Sequence, residues 1–204
     1  MGISTETTPR VRGRLPRERF WTIPNTITLG RIAVVPLLLL LPLFPGRGAS
    51  LVFGFGYLAA SLSDLLDGYL ARRDGTVTRI GKLLDPLADK LLVMTAFVML
   101  VAVDRVPLWA LPFVVAILAR EIAVTGLRAM ASAEGVVLGA SSMGKWKAGF
   151  QTAAVTALLI HFPLFILPCY ELGLLLLLIA TGLTLWSGYD YLVAHLGADT
   201  DAEA

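Results

Sequence analysis

Long apolar stretches, separated by short polar or glycine-rich connections, dominate the chain after its first two dozen residues. A helix that crosses a bilayer needs roughly 20 predominantly apolar residues. Stretches of this kind occur at about 25–44, 49–73, 80–103, 108–133, 145–165 and 169–195. The pattern therefore predicts an all-α integral membrane protein with six transmembrane helices.

Composition supports the membrane prediction. The chain has 204 residues, is 56% hydrophobic and has a mean hydropathy of +0.76, whereas soluble domains are about 45–50% apolar. The formal net charge is only +2, so the charge does not indicate a nucleic-acid partner. A single cysteine, Cys169, excludes an internal disulfide framework and a cysteine-rich metal site.

The two ends of the chain are polar and frame one domain. Residues 1–24 form a basic segment that ends in Phe20 and Trp21, and 197–204 form an acidic tail. The basic segment has two open interpretations: a juxtamembrane segment lying on an anionic membrane surface, or a tail that only sets the topology. Residues 25–196 then make up the six-helix domain.

The distribution of lysine and arginine predicts the orientation, because cytoplasmic connections carry an excess of both. Successive connections alternate between many and few basic residues. This alternation predicts that both termini and the charged helix ends are cytoplasmic. The rich regions contain Arg10, Arg12, Arg14, Arg17, Arg19, Arg72, Arg73, Arg79, Lys82, Arg128, Lys145 and Lys147, and the opposite connections contain Arg47 and Arg105.

Four carboxylates lie within the charged ends of the second and third predicted helices. Asp64 and Asp67 share one helix face because they are three residues apart, and Asp85 and Asp89 share another because they are four apart. A short connection makes the two helices antiparallel neighbours. The two acidic faces are therefore expected to face each other at similar depth.

Carboxylates inside a spanning helix are costly and point to a functional site. Oxygen-only ligands suit hard cations such as Mg²⁺ or Mn²⁺, and two such ions would neutralise the cluster and leave positions for phosphate oxygens. The alternative is an internal salt-bridge network or the cation pathway of a carrier. A pathway should place charges along the whole membrane depth, whereas the other halves of these two helices are apolar.

The spacing of these residues resembles the signature of the CDP-alcohol phosphotransferase family, D-x2-D-G-x2-A-R-x8-G-x3-D-x3-D. All eight fixed positions match, and the six-helix layout covers the rest of the chain. The matching residues are Asp64, Asp67, Gly68, Ala71, Arg72, Gly81, Asp85 and Asp89.

The resemblance implies a role for each matching position. Asp64, Asp67, Asp85 and Asp89 resemble the ligands of a two-metal centre for Mg²⁺ or Mn²⁺. Asp89 also resembles the general base that takes the proton of an incoming alcohol. The positions implied to receive the cytidine diphosphate group are Asn25, Thr28, Asp64, Gly68, Ala71, Arg72 and Gly81.

Three further motifs resemble the phosphatidylglycerophosphate synthase branch of this family. Pro24 to Arg31 contains Asn25 and Thr28 and resembles its P-N-x-L-T-x-x-R opening. Arg120-Glu121-Ile122 begins an R-E-I…L-R pattern, and Gly144 to Gln151 resembles G-K-x-K-T-x-x-Q. Ala148 departs from the threonine of the last pattern. The branch implies transfer of a phosphatidyl group from CDP-diacylglycerol to sn-glycerol 3-phosphate, which releases CMP.

The predicted acceptor site consists of cations at the cytoplasmic ends of the fourth and fifth helices: Arg120, Arg128, Lys145 and Lys147. A phosphorylated acceptor needs cations beyond the metals. Positive-inside topology alone is the competing explanation, and acceptors such as serine or inositol phosphate stay open. The resemblance further implies a homodimer in the bacterial inner membrane, in contact with membrane lipid.

Overall fold

The structure, a computed structural model, describes residues 23–74, 79–133 and 142–202. Within these residues the chain forms six α-helices, in the predicted order. They are α1 (Ile23–Leu38), α2 (Arg47–Asp74), α3 (Arg79–Ala102), α4 (Leu111–Ala133), α5 (Ser142–Ile160) and α6 (Cys169–Ala202). The basic segment at 1–22 and the last two residues of the acidic tail lie outside the described residues.

Three helix ends differ from the sequence prediction. Helix α1 ends at Leu38, and a 3-10 turn at Leu41–Leu43 with a proline at its start carries the chain onward. Helix α5 ends at Ile160 because His161 adopts a left-handed conformation, with φ of 63°. Helix α6 continues to Ala202, so most of the predicted acidic tail is helical.

The helices form one bundle. Helix α1 packs against both α2 and α3, α5 packs against α6 and α2, and α4 packs against α6. Fully buried aromatic and aliphatic side chains fill the space between them, because apolar surface is removed from water there. The largest include Tyr57, Phe97, Leu38, Leu92, Leu100, Ile117, Leu158 and Leu177.

Helices α5 and α6 approach closely at a glycine. A Cβ atom built on Gly173 lies only 2.8 Å from Leu158 Cγ and 3.1 Å from the Leu158 backbone nitrogen. No side chain fits there without moving the α5 backbone. Gly173 therefore sets the separation of these two helices at their α6 N-terminal end.

Arg105, in the connection that follows α3, links α2 to α5 at the end of the bundle away from the acidic residues. Its Nη1 donates to the carbonyl oxygen of Leu159, in the last turn of α5, and its Nη2 donates to Ser50 Oγ of α2 at 2.8 Å. The final carbonyls of a helix lack intrahelical donors, so a buried cation stabilises that end. Burial lowers the pKa of the Arg105 guanidinium, which nevertheless stays protonated near neutral pH.

Two of the described helices are long and apolar enough to cross a membrane. They are Leu108–Met130 and Cys169–Asp190, with mean hydropathies of 1.8 and 1.7. A shorter apolar helix lies at Thr26–Leu38. The chain is therefore all-helical in its described part and contains helices of membrane-spanning length.

Candidate active site

The predicted acidic site is distributed over α2 and α3. Asp64 and Asp67 lie in the last third of α2, and Asp85 and Asp89 lie in the first half of α3. Of these four side chains, the structure describes only Asp89, which is partly buried. The facing of the two acidic surfaces and the metal ligand set therefore stay predictions. No group of three His, Cys, Asp or Glu side chains comes together among the described ones.

A buried arginine of α1 lies one turn from the first of these aspartates. Arg31 is 1% exposed, and its Nε donates to the carbonyl oxygen of Ala60 at 3.2 Å. The same carbonyl accepts a hydrogen bond from Ser63 Oγ at 2.7 Å. Since Ala60 precedes Asp64 by four residues, these bonds attach α1 to the turn of α2 that presents Asp64.

Glu121 of α4 is the centre of a cluster of three cations. Lys147 of α5 donates from its Nζ to Glu121 Oε1, Lys90 of α3 places its Nζ 3.4 Å from Oε2, and Arg120 Nη1 lies 3.7 Å from Oε1. The Glu121 side chain is 15% exposed and the Lys147 side chain 7%. One carboxylate thus connects three helices and offsets part of a concentrated positive charge.

Arg120 is held from a second side by α6. Its Nη2 donates to Ser187 Oγ at 2.8 Å, and Ser187 Oγ donates in turn to the Thr184 carbonyl at 3.2 Å. A Cβ atom built on Gly188 lies 3.2 Å from Arg120 Cγ, closer than most side-chain contacts. The absence of a side chain at Gly188 leaves the space in which the Arg120 side chain runs. Arg120 Nε is buried and makes no hydrogen bond among the described residues.

A cavity of about 80 Å³ lies between α3, α4 and α5 beside this cluster. It has room for several water molecules or for a small polar group. Asp89 and Glu121 line it together with two of the three cations, Lys90 and Lys147. The lining residues are Asp89, Lys90, Val93, Met94, Glu121, Lys147, Ala148, Gln151 and Thr152. The cavity therefore joins a carboxylate to a group of ammonium donors.

Comparison with known proteins matches residues 21–186 to the model of the CDP-alcohol phosphatidyltransferase family. The chain belongs to this family. The matched region contains all eight signature positions, from Asp64 to Asp89. In a CDP-alcohol phosphatidyltransferase, the cavity beside Asp89 is a candidate for the place where the acceptor alcohol meets the site.

Several curated relatives are similar over most of the chain. The CDP-diacylglycerol–glycerol-3-phosphate 3-phosphatidyltransferase of Bacillus subtilis is 41% identical over 84% of this chain and 93% of its own. The enzyme of the same name from Pseudomonas fluorescens is 40% identical over 87% and 93%. A CMP-forming cardiolipin synthase of Oryza sativa is 33% identical over 87% of this chain and 58% of its own.

The two helices of membrane-spanning length fit this family membership, and together they identify a membrane protein.

The structure brings together two of the four cations predicted for the acceptor. Arg120 and Lys147 meet at Glu121. Arg128 is exposed, and its charge acts on Lys90 and Arg120. Lys145 is exposed and belongs to the first turn of α5. The four predicted cations thus divide into a pair that meets at Glu121, with Lys147 buried and Arg120 partly buried, and two exposed residues.

Of the residues predicted for the cytidine diphosphate group, the structure describes the side chain of Thr28. Thr28 is fully buried on α1. The side chains of the other predicted positions lie outside the described part of the structure: Asn25, Asp64, Gly68, Ala71, Arg72 and Gly81. Their assignment stays a prediction.

Four residues at the cavity and the cation cluster were not among the predicted site residues: Lys90, Glu121, Gln151 and Ser187. Glu121 pairs with cations of α3, α4 and α5. The motif around Gln151 was visible in the sequence, but its position on the cavity was not. Ser187 lies in an apolar helix and carries no sequence signal of its own.

Proposed function

We propose that this protein transfers the phosphatidyl group from CDP-diacylglycerol to sn-glycerol 3-phosphate, giving phosphatidylglycerophosphate and CMP. The names of its bacterial relatives support this assignment. The observation that carries it in the molecule is the position of Asp89 on the same cavity as Lys147 and the Glu121 cluster. An acceptor with a hydroxyl at one end and a phosphate dianion at the other fits that combination.

Charge is the main argument for a phosphorylated acceptor. Three cations converge on one carboxylate, so the cluster keeps a net positive charge when Lys90, Arg120 and Lys147 are protonated. Arginine and lysine bind phosphate oxygens through charge-assisted hydrogen bonds. In our proposal Arg120 and Lys147 contact the phosphate, while Arg128 and Lys145 attract it from the rim. A neutral or zwitterionic acceptor needs no such cluster.

The family uses a divalent metal ion, and the donor set fits one. Carboxylate oxygens from α2 and α3 are the ligands that hard cations prefer. Asp64, Asp67, Asp85 and Asp89 would hold two Mg²⁺ or Mn²⁺ ions. When bound, the metal would stabilise negative charge on the diphosphate.

The protein's own groups orient the reactants and move a proton. Asp89 lies at the cavity and would take the proton of the attacking hydroxyl, whose oxygen then displaces CMP from the β-phosphorus. Asn25, Thr28, Gly68, Ala71, Arg72 and Gly81 would receive the cytidine diphosphate group. Positioning supplies much of the rate in phosphoryl transfer.

The proposed setting is the bacterial inner membrane. Six spans, with both termini and the acidic helix ends on the cytoplasmic side, follow from the alternation of basic connections. CDP-diacylglycerol would enter from the surrounding lipid between helices, while glycerol 3-phosphate would arrive from the cytoplasm. The protein would act as a homodimer.

Purified protein in detergent, incubated with CDP-diacylglycerol, Mg²⁺ and labelled glycerol 3-phosphate, tests the function. We expect equimolar CMP and labelled phosphatidylglycerophosphate. Serine and inositol phosphate serve as competing acceptors in parallel reactions. CMP release with either of them, and none with glycerol 3-phosphate, would overturn the acceptor assignment.

A second candidate function follows from the Oryza sativa relative, which is named a CMP-forming cardiolipin synthase. That activity would use phosphatidylglycerol as the acceptor alcohol. A parallel reaction with phosphatidylglycerol distinguishes the two, because its product is cardiolipin. Our proposal expects no cardiolipin under conditions that yield phosphatidylglycerophosphate.

A further inference from the structure

Gln151 of α5 is a buried polar residue with no structural partner for its acceptor oxygen. It is 5% exposed, and its Oε1 makes no hydrogen bond among the described residues. Burying an amide oxygen without a partner costs roughly 1–3 kcal/mol. Such a group is therefore expected to have a partner outside the described residues, and a ligand in the adjoining cavity can supply it.

The side chain lies on the wall of the cavity rather than in the apolar core. Gln151 and Thr152 line it from α5, facing Asp89, Val93 and Met94 of α3. Gln151 follows Lys147 by four residues, so the two share one face of the helix. With a rise of about 1.5 Å per residue, Gln151 lies about 6 Å deeper along α5 than the cation.

Lys147 and Gln151 thus mark two levels of one cavity. The Lys147 level holds the ion pair with Glu121, the Gln151 level holds the amide, and Asp89 lines the same cavity. An acceptor whose phosphate is at Lys147, and whose attacking hydroxyl is at Asp89, would occupy this cavity, whose wall includes Gln151. Glycerol 3-phosphate carries one additional hydroxyl, on the carbon next to the reacting one.

We propose that Gln151 binds this second, non-reacting hydroxyl of the acceptor through its Oε1 and thereby selects a vicinal diol. The inference rests on the proposed function and assigns a specificity-determining residue to it. The hydroxyl donates to Gln151 Oε1, which replaces a water molecule that otherwise occupies the position. An acceptor without this hydroxyl displaces the water and offers no hydrogen bond in exchange.

The test compares two acceptors that differ by this hydroxyl alone. 3-Hydroxypropyl phosphate keeps the primary hydroxyl and the phosphate of glycerol 3-phosphate but lacks the second hydroxyl. With the native protein we expect kcat/KM to be about 10- to 100-fold lower for the deoxy acceptor. With Gln151→Met, which keeps the side-chain length, we expect the two acceptors to differ less than about threefold.

Two further variants control for indirect effects. Gln151→Asn keeps the amide on a side chain that is shorter by one methylene. We expect its ratio of kcat/KM for the two acceptors to lie between those of the native protein and Gln151→Met. If Gln151→Met does not fold, the Asn variant carries the test alone. Thr156→Val removes another buried α5 oxygen that has no hydrogen-bond partner in the described part of the chain and does not line the cavity. It should leave the ratio of the two acceptors at the native value.

Failure of the role proposed for Gln151 and failure of the proposed function would give different results. If the ratio of kcat/KM for glycerol 3-phosphate to that for the deoxy acceptor is the same in the native protein and in Gln151→Met, Gln151 does not bind the hydroxyl. The proposed function is unaffected by that result. If the native protein releases CMP only with an alcohol other than glycerol 3-phosphate, the proposed function fails first. A uniform loss of activity towards both acceptors assigns Gln151 a structural role and overturns the inference.

Discussion

Lys90 Nζ of α3 lies 3.4 Å from Glu121 Oε2 of α4, across 31 residues of sequence. The residue before Lys90 is Asp89, the proposed general base, and the residue before Glu121 is Arg120, a proposed phosphate ligand. This ion pair therefore connects the helix that carries the base to the helix that carries the acceptor cation. Geometry at one group is coupled to geometry at the other.

Loss of the Glu121 carboxylate should weaken acceptor binding. The Glu121→Gln variant lacks the negative charge that holds three cations together. The cations are expected to separate because they repel one another: Lys90, Arg120 and Lys147. We expect KM for glycerol 3-phosphate to rise about tenfold, with a smaller change in KM for CDP-diacylglycerol. Initial-rate kinetics with each substrate varied in turn measures both.

Two further variants serve as controls for Glu121→Gln. Glu121→Asp retains the charge and should recover part of the affinity. Glu171→Gln removes an exposed carboxylate in the first turn of α6, at the opposite end of the bundle, and should leave both KM values unchanged. An unaltered KM in Glu121→Gln would show that the cluster is not the acceptor site.

Arg120 should not tolerate replacement by lysine. Its planar guanidinium reaches Ser187 and Glu121 at the same time, and one ammonium group lacks that fork geometry. We expect Arg120→Lys to raise KM for glycerol 3-phosphate about tenfold or more, and Ser187→Ala, which keeps the guanidinium, only a few-fold. Ser50→Ala removes a hydrogen bond to Arg105, a buried arginine at the other end of the bundle, and serves as the control. A larger effect for Ser187→Ala than for Arg120→Lys would contradict the assignment.

The aspartates outside the described side chains can be tested by metal dependence. Asp67→Asn and Asp85→Asn remove one charged ligand each and should lower kcat by about 100-fold or more. Chelation should abolish native activity, and added Mg²⁺ should restore it. Asp190→Asn, at an exposed position of α6, should behave as the native protein does. Full activity in both Asp67→Asn and Asp85→Asn would refute the metal centre.

Arg105 should contribute to stability and leave catalysis unaffected. Arg105→Met leaves the Leu159 carbonyl and Ser50 without their donor, which costs about 1–3 kcal/mol. We expect the apparent Tm in detergent, measured by intrinsic fluorescence, to fall by about 2–10 °C, with KM unchanged at 25 °C. Arg47→Met, which loses only a cation–π contact to Phe162, should lower it less. A change in KM without a change in Tm would contradict this role.

The acidic signature and the apolar stretches of the sequence were sufficient to predict the helices and the family. Spacing of three and four residues fixes which side chains share a helix face, and this holds before any tertiary contact forms. The ends of α1, α5 and α6 were predicted less well. The left-handed conformation of His161, which ends α5, depends on the residues packed around it. Helix α6 continues beyond His195 because the sequence there has no strong stop signal.

Sequence alone thus determined a helical membrane protein of this family, the aspartates of its signature and a set of cations that it predicts to be cytoplasmic. Only the tertiary structure decided which cations meet, because Lys90, Glu121 and Lys147 come from three helices and have no fixed spacing. It likewise decided that Gln151 faces a cavity instead of lipid or core. Periodicity assigns a residue to a face of its own helix, and only packing determines what lies opposite that face.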